Sequence, residues 1–178
     1  MTATITLQDI YRRIRDVPDF PKPGILFKDI TPLLLDAGAF RRAVELMAGP
    51  FRGAEVTRVV SIESRGFLLG APIALALEAG LAPIRKPGKL PSERGRVEYA
   101  LEYGTDALEM HSDAVGARDR VLVVDDVLAT GGTAQAAAKL VRAHGAAVVG
   151  FTFLIELDFL KGRARLAGER VEALLHYA

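Results

Sequence analysis

The sequence predicts an α/β fold with a mostly parallel sheet flanked by helices, and three observations carry that prediction. From about residue 39 onward, β-prone apolar runs alternate with helix-periodic stretches, the order that builds right-handed crossovers. Two of the runs, Val121–Val124 and Ala147–Leu157, are nearly continuously apolar, as strands covered on both faces are. The first of them leads through Asp125 and Asp126 into a small-residue turn, Ala129–Gly132, and then a helix-forming stretch from Thr133 to about Ala143.

Each element can be justified in chain order. Thr6 suits the N-cap of a helix running through Asp16, because Leu7, Ile10, Tyr11 and Ile14 fall on one face. Pro18, Pro21 and Pro23 then force an extended arm, and Gly24–Thr31 reads as a short irregular strand. Phe40, Val44, Met47 and Phe51 mark a helix from about Ala39 to Arg52. Strand signals at Arg58–Ile62 and Ala82–Lys86 bracket a helix from about Gly66 to Ala79. Two further β-prone segments, Val97–Tyr103 and Ala107–His111, precede the strand that begins at Val121. After the run ending at Leu157, Arg163–Ala167 reads as a turn or short helix and Val171–Tyr177 as a closing strand. The proline-rich arm and the C-terminal tail, about 18–34 and 157–178, are left over and are expected to form a small hood over the strand ends.

Composition places the 178 residues in one soluble enzyme-sized domain, with 50% hydrophobic and 25% charged residues. Lys plus Arg number 23 against 22 Asp plus Glu, a net charge of +1 that argues against a nucleic-acid partner. There are no cysteines, hence no disulfides or thiolate metal sites. No apolar run reaches the roughly 20 residues of a membrane span, and the N-terminus lacks the layout of a signal peptide, so no membrane association and a cytoplasmic location are expected. His111, His144 and His176 stand in no ligand spacing.

The segment Val121–Ala134 carries the chemistry. Ligands of open α/β sheets bind where strands end, and there the glycines let backbone approach an anion while Thr130, Thr133 and the first free amides of the helix supply donors. A Walker loop would need a Gly-Lys-Ser/Thr ending and a dinucleotide fingerprint three glycines; neither is present. Adjacent carboxylates accept strong hydrogen bonds from a diol or hold waters on magnesium. Phosphate beside a diol implies a ribose 5-phosphate. The segment resembles the phosphoribosyl-pyrophosphate motif of the type I phosphoribosyltransferases.

Four other segments gather around it. Ser61-Ile-Glu-Ser-Arg-Gly66 sits where a strand meets its helix, and the rigid fork of Arg65 suits a pyrophosphate. Arg85, Lys86 and Lys89 in the loop Ile84–Pro91 would neutralise a polyphosphate. Ser92–Tyr99 leads into Leu101-Glu-Tyr-Gly104, a stretch suited to closing over a reactive glycosyl centre with Glu102 and Tyr103 at its tip. Phe20-Pro-Lys-Pro-Gly-Ile-Leu-Phe-Lys-Asp-Ile30 offers Phe27 for stacking on a flat base and neighbouring peptide groups for reading its edge.

In order and spacing, Phe20–Ile30, Glu63–Phe67, Arg85–Pro91, Leu101–Gly104, Val121–Ala134 and Glu156–Arg163 resemble the successive signatures of the adenine phosphoribosyltransferases over nearly the whole chain. That resemblance implies a five-stranded parallel sheet under a small hood, a homodimer, and a magnesium-requiring reaction in which adenine and phosphoribosyl pyrophosphate give AMP and pyrophosphate. It places the ribose on Asp125 and Asp126 and the 5-phosphate on Ala129, Thr130, Gly131, Gly132, Thr133 and Ala134. Pyrophosphate falls on Ser64, Arg65, Lys86 and Lys89. The base falls on the backbone of Leu26 and Lys28 with Phe27 and Leu157 as apolar walls. Glu102 takes the acid–base position and Tyr103 that of the lid aromatic. Lys28 stands where the family often has arginine, and Ser64 where bacterial members often have alanine. An oxopurine phosphoribosyltransferase is the runner-up, since no residue pattern displays the acceptor that would select adenine. A sensor of phosphoribosyl pyrophosphate is a third reading, disfavoured because only about 20 residues precede the arm, too few for a three-helix DNA reader.

Overall fold

The computed structural model of the chain describes residues 4–100 and 105–178. It divides into two compact units, Met1–Leu46 and Met47–Ala178.

The first unit opens with α1, Leu7–Tyr11, capped by Thr6 in a box with Asp9. The helix is shorter than the periodicity predicts, because Arg15–Val17 forms β1 instead and pairs antiparallel with β2, Phe27–Asp29. Pro18 favours extended backbone immediately before it. Cross-strand ion pairs, Arg15 with Asp29 at 2.6 Å and Lys28 with Asp16 at 2.6 Å, join the two strands. The strand expected over Gly24–Thr31 is thus confined to its middle, Phe27–Asp29. Thr31–Leu35, with Pro32 in its first turn, forms a short helix, α2, that local patterning does not reveal. The long helix α3, Ala37–Ala48, follows and gives way to a 3-10 turn at Gly49–Phe51.

The second unit is built on a five-stranded, wholly parallel sheet. Its strands are β3 (Arg58–Ile62), β4 (Gly80–Ile84), β7 (Arg120–Leu128), β8 (Ala147–Leu157) and β9 (Val171–Tyr177), in the spatial order β4-β3-β7-β8-β9. Helix α4, Arg65–Ala76, connects β3 to β4, and helix α5, Gly132–Ala143, connects β7 to β8. Between them in sequence, β5 (Arg94–Ala100) and β6 (Thr105–His111) pair as an antiparallel ribbon. Val171–Tyr177, grouped with the hood in the sequence reading, is the outer strand of the main sheet.

Val121, Leu122, Val123 and Val124 are all fully buried. Burying each such side chain contributes about 1.5–3 kcal/mol, which explains why this run is the centre of the sheet. Its neighbour β8 carries Phe151, Phe153 and Ile155, equally buried. A register shift beside Val121 and Leu122 brings Gly150 opposite Leu122, and a Cβ on Gly150 would lie 2.4 Å from the Phe51 ring.

Candidate active site

The two crossovers leave the sheet in opposite directions: β3 through α4 to β4 on one side, β7 through α5 to β8 on the other. The point between β3 and β7 is therefore the switch point where open α/β sheets bind ligands. Pairing between these strands stops at Ser61 with Val124, whereas β7 continues beside β8 as far as Leu128. The aspartates consequently lie inside β7, not at its end as the sequence suggests, and only the β3 side has opened beneath them. A cleft of about 300 Å³ occupies the opening, lined by Ile62, Glu63, Ser64, Arg65, Lys86, Tyr99, Leu108, Asp125, Asp126 and Thr133.

The chain closes the cleft floor by backbone approach. A Cβ on Gly66 would lie 2.8 Å from Asp125 Oδ1 and 3.2 Å from the Val124 carbonyl oxygen, so the first turn of α4 can sit against β7 only without a side chain. The Glu63–Ser64 peptide just before it is cis. Arg65 Nε lies 2.7 Å from Asp126 Oδ2. Asp126 is buried, and Asp125 is half-buried with its Oδ1 accepting from the Asp126 amide at 2.9 Å. Burial, with the Asp126 charge next to it, pushes the Asp125 carboxyl well above the ordinary carboxylate range. Burial raises Asp126 too, and Arg65 pulls against the rise.

At one end of the cleft is the small-residue turn. A second cavity, of about 70 Å³, is lined by Asp125, Val127, Leu128, Ala129, Thr130, Gly131, Thr133, Ala134 and Phe153, so it adjoins the first at Asp125 and Thr133. Gly131 has φ of +80°, a conformation natural to glycine, and caps α5. The unbonded amides of a helix start and its dipole favour an anion there.

Every described cation of the other end has a carboxylate partner. Glu63 takes Arg85 at 2.7 Å and Lys89 at 2.6 Å, and its own carboxyl is thereby held below the ordinary range despite burial. Lys86 pairs with Asp106, which lowers Asp106 and raises Lys86. Tyr99 places its hydroxyl 3.3 Å from Asp106 Oδ2 and 3.5 Å from Thr133 Oγ1, bridging the ribbon to the first turn of α5. Sequence reasoning missed Gly66, Asp106 and Tyr99. Only Gly66 had a local signal, as the glycine next to the predicted Arg65.

The structure thus brings together Ser64, Arg65, Lys86, Asp125, Asp126 and the turn Ala129–Ala134, with Lys89 reaching the cleft through Glu63. Ser64 is exposed at the head of α4. Leu157 is half-buried at the end of β8. In the first unit, the arm loop is held by Asp19 Oδ1 accepting from the Gly24 amide at 2.7 Å and by the Phe20 amide donating to the Ile25 carbonyl at 3.2 Å. Phe20 and Phe27 meet edge to face at 5.0 Å, and Leu26 is exposed. The Lys28 amine is engaged by Asp16. Glu102 and Tyr103 lie outside the described residues.

Residues 34–170 match the phosphoribosyl transferase domain family. An adenine phosphoribosyltransferase of Myxococcus xanthus (strain DK1622) is 60% identical over 177 residues, covering 99% of this chain and 96% of the relative. Among solved structures, adenine phosphoribosyltransferase from Thermoanaerobacter pseudethanolicus ATCC 33223 matches with a TM-score of 0.94 at 52% identity, over 97% of this chain and 100% of that one. The APRTase of Giardia lamblia complexed with 9-deazaadenine matches with a TM-score of 0.93 at 34% identity, over 98% and 99% of the two chains.

Proposed function

The chain belongs to the adenine phosphoribosyltransferase family, and from that membership we propose that it transfers the 5-phosphoribosyl group of phosphoribosyl pyrophosphate to adenine, giving AMP and pyrophosphate in purine salvage. The observation that carries the reading is the position of Asp125 and Asp126 between the amide turn and the cationic loops. Ribose hydroxyls donate to the carboxylates, the 5-phosphate seats on Ala129–Ala134, and the pyrophosphate extends towards Ser64, Arg65, Lys86 and Lys89. The cleft and the adjoining cavity share Asp125 and Thr133, which supports seating the three parts of this substrate in their chemical order.

Magnesium would be held through the substrate pyrophosphate and water, and the carboxylate oxygens of Asp125 and Asp126 beside the cleft fit its hydration shell. Magnesium bound to pyrophosphate supplies positive charge to the leaving group. The protein's own part is to hold C1 of the ribose still while pyrophosphate departs onto Arg65 and the basic loop. By the family resemblance, the edge of adenine falls on the Leu26 and Lys28 backbone, with Phe27 and Leu157 as apolar walls. The engaged Lys28 amine accords with a main-chain contact, so lysine in place of arginine leaves base recognition intact. Glu102 moves the proton that adenine gains or loses as its bond to ribose changes, and Tyr103 covers the leaving group. The protein works as a homodimer in the cytoplasm; among the described residues no helix is long and apolar enough to cross a membrane.

The test is magnesium-dependent pyrophosphate release from phosphoribosyl pyrophosphate with adenine, hypoxanthine and guanine offered separately. Turnover with adenine alone is expected, because a site that hydrogen-bonds one purine edge leaves polar groups unpaired against the other. Turnover with hypoxanthine or guanine in its place would overturn the base assignment.

A further inference from the structure

Apart from Leu157, the Glu156–Arg163 segment has no part in the scheme above, yet it holds a tightly built cluster. Glu156 is 4% exposed near the end of β8. Arg163 grips it with a fork, Nε donating to Oε1 at 3.1 Å and Nη2 to Oε2 at 2.5 Å, while Nη1 donates to the Val171 carbonyl at 2.7 Å. The fork fixes the 3-10 turn Gly162–Leu166. On the far side of that turn, bare backbone faces bare backbone. A Cβ on Gly162 would lie 2.0 Å from the Ala129 carbonyl oxygen and 3.0 Å from the Gly131 amide nitrogen, and a Cβ on Gly131 would lie 2.4 Å from the Gly162 carbonyl oxygen. Gln135 in the first turns of α5 adds a tie, its Nε2 donating to the Arg165 carbonyl at 3.2 Å.

We infer that the Glu156–Arg163 fork is a brace that positions the phosphate turn by seating Gly162 backbone against Ala129–Gly131. The inference rests on the assignment of that turn to the 5-phosphate. A cradle made of amides, with no cation of its own, binds by geometry alone, so small displacements of its backing reach the ligand. Arginine is required because only a planar fork fills both carboxylate oxygens and a carbonyl at once. Glu156 and Arg163 are positioning residues and touch no substrate atom.

The experiment is calorimetric titration of ribose 5-phosphate and, separately, of inorganic pyrophosphate into the wild type, Gly162→Ala and Arg163→Lys. Ribose 5-phosphate affinity falls about tenfold or more in Gly162→Ala and by a few-fold in Arg163→Lys, while pyrophosphate affinity stays within about twofold in both. In steady state, KM for phosphoribosyl pyrophosphate rises and kcat is largely kept. Should Gly162→Ala not fold, Arg163→Lys decides. Unchanged ribose 5-phosphate affinity in the variants overturns the brace. Equal weakening of both ligands with a lowered Tm reduces it to a structural contact and overturns it too. A wild type that binds pyrophosphate but not ribose 5-phosphate overturns the phosphate assignment itself, and the brace with it.

Discussion

The two ends of the cleft offer an anion opposite kinds of donor. At the turn Ala129–Gly132 the donors are backbone amides and the neutral Thr130 hydroxyl, the backbone fixed by a left-handed glycine and by close approach to Gly162, and none of its residues is charged. At the other end the donors are side-chain cations, each committed to a carboxylate: Arg65 to Asp126, Arg85 and Lys89 to Glu63, Lys86 to Asp106. The first end is preorganised and requires no rearrangement to bind. The second must exchange one anion for another, so its affinity is the difference between two ion-pairing free energies. The difference suits the proposed assignment, in which the phosphate stays with the product AMP, whereas the pyrophosphate has to be held as it departs and then released.

The two ends should separate most clearly at Gly131. Alanine there must adopt φ of +80° and place a methyl 2.4 Å from the Gly162 carbonyl oxygen. KM for phosphoribosyl pyrophosphate should rise about 100-fold, with pyrophosphate binding nearly unaffected. Equal losses for the two ligands would show that the ends are not independent.

Asp125, where the ends meet, comes next. Asp125→Asn should weaken phosphoribosyl pyrophosphate binding about tenfold near neutral pH, as read by calorimetry. The sign of its pH dependence follows from the raised carboxyl: the ionised form that accepts ribose hydroxyls is lost as pH falls through a pKa above the usual value of about 4. Wild-type affinity should therefore begin to fall on acidification sooner than an ordinary carboxylate would allow, and the asparagine variant should lack that component. Superimposable pH profiles would remove Asp125 from ribose binding.

The smallest effect is expected at Asp106. Asp106→Asn frees Lys86 of its counter-ion, and pyrophosphate should then bind more tightly, by about threefold, because a partly exposed pair is worth roughly 0.2–1 kcal/mol. Weaker binding would mean that Asp106 orients Lys86 rather than competing for it.

Legibility in the sequence divides along a similar line. Arg58–Ile62, Ala147–Leu157 and Val171–Tyr177 are read to the residue, because uninterrupted β-branched and aromatic runs specify strands locally. The helix at Thr6 is overextended because Ile10 and Ile14 keep helical spacing, and both are indeed buried, but the ribbon between Arg15–Val17 and Phe27–Asp29 depends on partners ten to fourteen residues away. In the site, the amide turn and the aspartates are contiguous in sequence and declare themselves. The pairings of Lys86 with Asp106 and of Glu63 with Arg85, and the contact of Gly162 with Gly131, join residues twenty or more apart. No local pattern encodes them, so the cations look uncommitted until the fold is known.

The most direct test of the contrast between the ends is a salt series of calorimetric titrations with ribose 5-phosphate and with pyrophosphate. Exchange of exposed ion pairs is screened by salt, whereas a backbone cradle is affected far less. Pyrophosphate affinity should fall steeply with ionic strength and ribose 5-phosphate affinity only shallowly. Equal slopes for the two ligands would contradict the account.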